Sequence, residues 1–203
     1  MTPRNSALSL ILASASPRRR ELLQQAGVVF SVVPSNADED ILTGEAPAEY
    51  VLRVAAAKAE DVANKHQGHW VLGADTIVVV DDKILGKPKD TADGHRMLRL
   101  LSGRVHQVMT AFILLDPNGQ EYRRQIIATT VTFKPLSDEQ IQAYLATGEP
   151  FDKAGAYAVQ GIGAVLVEKV EGSYANVVGL PIDEVLEVLR SAELYHKKDI
   201  HLT

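Results

Sequence analysis

The chain has 203 residues, 46% of them hydrophobic and 23% charged, with a formal net charge of -5 and no cysteine. That balance matches an ordinary folded domain and argues against disorder, a membrane span or a general nucleic-acid binder, which carries a basic excess. The missing thiols exclude disulfides, thiolate nucleophiles and cysteine-bound zinc, and they suit a reducing, cytoplasmic setting.

The opening "MTPRNSALSLILASA" has the outline of a secretory signal, with a basic start, a short apolar run and an A-x-A ending. The run from Ala7 to Ala13 is at the low limit for that role, and a basic segment follows at once, so "LSLILAS" is expected to be a first buried strand. In "ASASPRRRELLQQAG", Ser16 is a good N-cap, Pro17 fits the first helical position and Gly27 marks a stop. The first turn of that helix carries Arg18, Arg19 and Arg20, where the helix dipole favours acidic residues. Each such cation costs about 0.3–1 kcal/mol unless something negative answers it.

Further along, "VVFSVVP" reads as a second strand, and a helix is expected from about Pro47 to Lys65. "WVLGADTIVVVDD" is a buried apolar strand, and "DDKILGKP" reads as a short hairpin return. A helix from Thr91 to Leu101 stops at Ser102-Gly103, and two long strands flank the "DPNG" turn between Val105 and Phe133. A helix over Ser137 to Thr147, a strand in "GAVLVEKVEG" and an amphipathic helix in "LPIDEVLEVLRSAEL" follow, and the polar tail past Leu194 is expected to fray. With no repeat and no long linker, the alternation predicts an α/β fold with a mixed, partly antiparallel sheet flanked by helices.

Four stretches carry chemistry. The arginine-bearing helix start is either a solvated basic turn or an anion site, in which free N–H groups and guanidinium forks hold phosphate. Lys58 shares a helix face with Val51, Val54, Ala55 and Val62, so it either snorkels at the edge of the apolar stripe or sends its ammonium into a pocket. Asp75 stands in a strand of Val, Leu and Ile, where a carboxylate needs a partner or a metal. Lys87, after the hairpin, is a surface charge or returns toward the same strand end. Finally, "DKAGAYAVQGIGAVLVEKVEGSYANVVGLP" crowds Gly and Ala among polar residues, as a binding loop or a turn-rich connection would.

Several signatures are missing: there is no G-x-x-x-x-G-K-[ST] loop, no HExxH and no nucleophile elbow. The remaining cations Arg18, Arg19, Lys58 and Lys87, with the carboxylates Asp38, Glu39, Asp40 and Asp75, are the charges that a polyphosphate and a divalent metal require if they converge. Opposite charges about 4 Å apart gain roughly 4 kcal/mol at an effective dielectric near 20, several times the helix-start penalty.

In sequence order, "ASASPRR", "DED", "KAE", "GADTIV", "GKP", "LSGRVHQVMT", "TTVTF", "DKAGAYAVQG" and "EGSYANVVGLP" resemble the motifs of the Maf family of nucleoside triphosphate pyrophosphatases, also called septum formation inhibitors. The resemblance covers nearly the whole chain and treats residues 1–203 as a single domain. Arg18 in "SPRR", Thr76 in "GADT" and Gln160 in "AYAVQG" resemble the dTTP/UTP branch rather than the branch acting on 7-methyl-GTP.

The resemblance implies two lobes around a central cleft, a homodimer, and a free nucleoside triphosphate as substrate, with no nucleic-acid or membrane partner. It implies hydrolysis to the monophosphate and pyrophosphate by metal-assisted attack of water on the α-phosphorus. Asp75 would be general base, metal ligand or both, and Glu39 would help hold Mg²⁺ or Mn²⁺, with Asp38 as its neighbour in the acidic pair. Lys58, Lys87, Arg18 and Arg19 would face phosphate charge, Ser14 and Ser16 would lend donors, Gln160 would meet the base and Thr76 would shape the wall beside it. The family's alternative name carries a second expectation, a non-catalytic nucleotide-responsive regulator of division. A purine-directed pyrophosphatase is a third, against which Thr76 and Gln160 argue.

Overall fold

Within the apolar run near the start, Leu10–Leu12 form a strand. The computed structural model describes residues 9–196, so the basic start of that segment and most of the tail lie outside the described residues. In chain order the elements are β1 (Leu10–Leu12), α1 (Pro17–Gln25), β2 (Phe30–Val32), α2 (Pro47–Lys65), β3 (Trp70–Val80), β4 (Lys83–Leu85) and α3 (Thr91–Leu101). There follow β5 (Val105–Leu115), β6 (Glu121–Phe133), α4 (Asp138–Ala146), β7 (Val167–Glu171), α5 (Tyr174–Val178) and α6 (Ile182–Ser191), with three 3₁₀ turns between α4 and β7. The expected α/β class with a mixed, partly antiparallel sheet is what the chain adopts.

Two expectations shift. The strand read from Gly163 begins only at Val167, because residues 161–166 coil as a 3₁₀ turn whose Gly163 amide donates to the Glu149 side chain instead of a ladder. Within the Gly-rich stretch sits α5, capped by Ser173, whose hydroxyl accepts from the Asn176 amide.

The sheet runs β2-β1-β3-β5-β6-β7, with β4 paired to β3. The β1 strand is parallel to β2 and β3, and the remaining pairings are antiparallel. Along one edge of β3, β1 covers Trp70–Leu72 and β4 covers Val78–Val80, so among the described residues nothing pairs as a strand with 73–77 there. The other edge pairs with β5 without interruption from Val71–Leu115 to Val79–Gln107. That break in one edge opens the floor of a cleft.

Apolar clusters gather at opposite ends of β3. Leu12, Leu72, Phe112, Leu114, Val185 and Leu189 form one with α1 and α6, while Val78, Leu98, Leu101, Phe133, Ile141 and Leu145 form another with α3 and α4. Full burial of such a side chain stabilises by about 1.5–3 kcal/mol. On the opposite face of the sheet α2 lies over its middle, packed on Val71, Gly73, Ile77 and Val79 of β3. The contact is closest at Gly73, where a Cβ would sit 2.5 Å from the Ala55 carbonyl oxygen and 2.8 Å from Ala59 Cβ. Only a glycine lets helix and strand approach this far.

Candidate active site

A cleft of about 950 Å³ lies over the interrupted edge of β3. Ser14, Ser16, Arg18, Arg19, Glu39, Lys58, Asp75, Thr76, Lys87 and Gln160, the residues singled out from the sequence, all border it. Successive strand residues face opposite sides of a sheet, yet Asp75 and Thr76 both reach the cleft because β3 crosses its floor without a neighbour on that edge.

At the centre, the Lys58 ammonium lies 2.8 Å from Asp75 Oδ1 and 2.9 Å from Glu39 Oε1. Lys58 and Asp75 are buried, whereas Glu39 is half-exposed. Lys58 therefore does not snorkel; its head turns inward to answer the carboxylate that β3 buries. Burial would raise the Glu39 carboxyl, but the hydrogen bond and charge of Lys58, with Lys87 and Arg19 nearby, hold it below the ordinary range. Within the acidic pair, Asp38 turns its carboxylate to the Asp40 amide at 2.9 Å, while Glu39 faces Lys58.

The loop that carries Glu39 is tied to α2. Tyr50 Oη donates to the Glu39 carbonyl at 2.8 Å, and Arg53 donates to the Asp40 carbonyl at 2.9 Å. Burial, followed by the charges of Asp75 and Glu39, pushes the Tyr50 hydroxyl up to about 12, so it stays a donor.

At the start of α1, the Ser16 hydroxyl caps the Arg19 amide. The arginines there find different answers. Arg18 Nη1 pairs with Asp152 Oδ2 at 2.8 Å. Burial would raise the Asp152 carboxyl, but hydrogen bonds from Lys153 and Arg18 hold it at about 2. Arg19 is buried: Nε donates to the Gly179 carbonyl at 2.8 Å, Nη1 to the Ala74 carbonyl at 2.8 Å and to Ser14 Oγ at 3.1 Å, and Nη2 to Thr76 Oγ1 at 3.0 Å. Burial pulls its pKa below the ordinary arginine value, with the Asp75 charge opposing. Ala74 belongs to the uncovered stretch of β3, so the guanidinium stands where a neighbouring strand would have donated. Arg19 thus seals the cleft floor, whereas Arg18 meets, among the described residues, Asp152 alone, through its carboxylate and, at 3.3 Å from Nη2, its backbone carbonyl.

Lys87 and Gln160 border the cleft from exposed positions, and the Lys87 charge is felt at Glu39. The sequence reading missed Glu149 and the roles of Asp152 and Lys153. The last two lie in the quoted "DKAGAY" motif, whereas Glu149 falls in a helix-ending "GEP" with no signal of its own.

Glu39 and Asp75 each meet Lys58 through one oxygen, and a carboxylate offers a second. Two carboxylates on one cleft wall fit a hard divalent cation of the kind that completes its shell with water and substrate phosphate. Among the described residues no group of three or more His, Asp or Glu could form a closed protein cage. Nor, among them, is any helix long and apolar enough to cross a membrane.

The family model described as "Maf-like protein" matches residues 9–192. The chain belongs to the Maf family. This Maf chain is 56% identical over 182 residues to a protein of Geotalea uraniireducens named dTTP/UTP pyrophosphatase, covering 90% of this chain and 94% of that one. Proteins of the same name from Geobacter metallireducens and Clostridioides difficile are 52% and 47% identical, covering 93% and 90% of the Maf chain and 97% and 94% of their own.

Proposed function

We propose that this Maf chain hydrolyses pyrimidine nucleoside triphosphates, dTTP and UTP, to the monophosphate and pyrophosphate. The observation that carries the reading is the Asp75–Lys58–Glu39 cluster on the floor of a cleft whose walls bring Arg18 and Lys87, in a chain about half identical to relatives named for that activity. A divalent cation, Mg²⁺ or Mn²⁺, held by Glu39 and Asp75, would neutralise phosphate charge and acidify water.

Asp75 takes the proton of the water that attacks the α-phosphorus, as general base, and Lys58 keeps that carboxylate oriented. The bond from the α-phosphorus to the α–β bridging oxygen breaks in line with the attack, and pyrophosphate leaves with its charge met by Arg18 and Lys87. Ser14 and Ser16 lend polar groups at the α1 start. The Gln160 amide offers a donor and an acceptor to the uracil or thymine edge, with Thr76 shaping the adjoining wall. A base with the wrong pattern leaves buried polar groups unpaired, the form of recognition that discriminates most sharply. In this reading residues 1–203 act as one catalytic unit, as a cytoplasmic homodimer on a free nucleotide.

The test is pyrophosphate release from each purified triphosphate with Mg²⁺. Release from dTTP and UTP well above that from GTP and ATP is expected. Release favouring purines overturns the pyrimidine assignment, and release from none leaves the nucleotide-responsive regulator as the better reading.

A further inference from the structure

The turn that carries Gln160 is anchored at both ends by one carboxylate. On the incoming side, the Ala158 amide donates to Tyr144 Oη at 3.0 Å, and that hydroxyl donates to Glu149 Oε2 at 2.8 Å. On the outgoing side, the Gly163 amide donates to the same Oε2 at 2.8 Å and the Ile162 amide to Oε1 at 3.1 Å. The chain thus leaves this anchor at Ala158, passes Gln160 at the exposed apex, and returns to it at Gly163. Two positions of the return leave no room for a side chain: a Cβ at Gly161, where φ is +67°, would lie 2.3 Å from Glu149 Oε1, and one at Gly163 would lie 2.5 Å from Tyr144 Oη.

Glu149 also differs from the other cleft carboxylates in its partners. Asp75 and Glu39 meet Lys58, and Asp152 meets Arg18 and Lys153, whereas Glu149 accepts from two amides and a phenol. The neighbouring Lys153 ammonium donates to the Glu149 backbone carbonyl at 2.7 Å and not to its carboxylate. Burial would raise the Glu149 carboxyl, yet the Tyr144 and backbone hydrogen bonds hold it below the ordinary range, so it remains an acceptor throughout neutral pH. A charge held by neutral donors from both ends of a turn fixes backbone geometry.

We propose that Glu149, working through Tyr144 and the 158–163 turn, is a positioning residue that sets base selectivity by fixing where Gln160 meets the base. The proposal rests on the pyrophosphatase reading. Recognition by paired polar edges is sensitive to placement, and a shift of about 1 Å is enough to lower a rate by two orders of magnitude.

The test compares UTP with CTP, whose pyrimidine edges carry reversed donors and acceptors at N3 and at the substituent on C4. For Glu149→Ala, the ratio of kcat/KM for UTP over CTP is expected to fall about tenfold, through a raised KM for UTP with kcat kept within about twofold. Inhibition by pyrophosphate, whose charge in this reading is met by Arg18 and Lys87 and not by Gln160, is expected to stay unchanged. Glu149→Gln, which keeps the size and one acceptor oxygen, and Tyr144→Phe, which keeps the ring, should give smaller falls in the same direction; they carry the test if the alanine variant does not fold. An unaltered UTP/CTP ratio in all three overturns the assignment. So does a parallel loss of pyrophosphate inhibition, which would mean that Glu149 merely supports the Arg18–Asp152 pair three residues on. If the wild-type protein hydrolyses no pyrimidine triphosphate, the pyrophosphatase reading fails and the proposal with it; if it discriminates and the variants discriminate equally, the Glu149 role alone fails.

Discussion

Replacing Lys58 by Met removes the ammonium shared by Asp75 and Glu39 while keeping an apolar stem of similar length. The two carboxylates do not weigh equally. The Asp75 side chain is 9% exposed and the Glu39 side chain 49%, so water screens Glu39 far more than Asp75. Stranding the buried Asp75 charge is the dominant effect, about 3–5 kcal/mol for a buried pair broken on one side. Repulsion between the carboxylates, about 6 Å apart or less across the lost ammonium, adds roughly 3 kcal/mol or more before screening. Taking about 3 kcal/mol as the net loss, a chain of this size should melt about 6–12 °C lower. The assay is a double-mutant cycle of unfolding free energies with Lys58→Met and Asp75→Asn, because the neutral amide no longer needs a counter-ion. A coupling of about 2 kcal/mol is expected, and additivity within about 0.5 kcal/mol would refute the argument, returning Lys58 to a solvated position at the edge of its helix stripe.

Asp75→Asn alone should leave the melting temperature within a few degrees and reduce pyrophosphate release by about 10²–10⁴-fold, the usual contribution of a general base; turnover above one tenth of wild type removes Asp75 from that role. His106, buried with Nε2 2.8 Å from Tyr157 Oη, is pulled down by burial to about 4. Its unfolded value is about 6.5, so the unfolded chain binds the extra proton first, and stability should fall by up to about 3 kcal/mol as pH drops from 6.5 to 4. Chemical denaturation across that window checks this, and His106→Gln should flatten the slope. Gly73→Ala drives a methyl group into the Ala55 carbonyl and Ala59; a loss of about 1–3 kcal/mol in thermal unfolding is expected from overpacking, and an unchanged melting temperature would show that α2 can ride outward.

The helices were legible where local chemistry specifies them. Ser16-Pro17 starts α1 and the stripe of Val51, Val54, Ala55 and Val62 faces inward from α2, as the spacing requires. Lys58 and Asp75 stood out because each breaks an apolar pattern, and each proves to be the reason the other is tolerated. What stayed hidden depends on contacts between distant segments. Arg19 reaches Gly179, 160 positions away, and Arg18 reaches Asp152, 134 positions away. No local pattern distinguishes the arginine that closes the cleft floor from the one that faces the cleft. Residues 161–166 carry a strand-like composition, and the Gly163 amide is captured by a glutamate whose placement depends on how α4 ends.

The unbroken β3–β5 ladder crosses beneath the cleft from one apolar cluster to the other. Swinging those clusters toward each other would have to twist a continuous backbone ladder, which makes the bed of the cleft the stiffest part of its wall. Adaptation to a nucleotide falls to the parts off the ladder: the loop bearing Glu39, the turn bearing Gln160 and the segment bearing Lys87. Substrate capture in such a cleft is a matter of rim rearrangement over a bed that is already set.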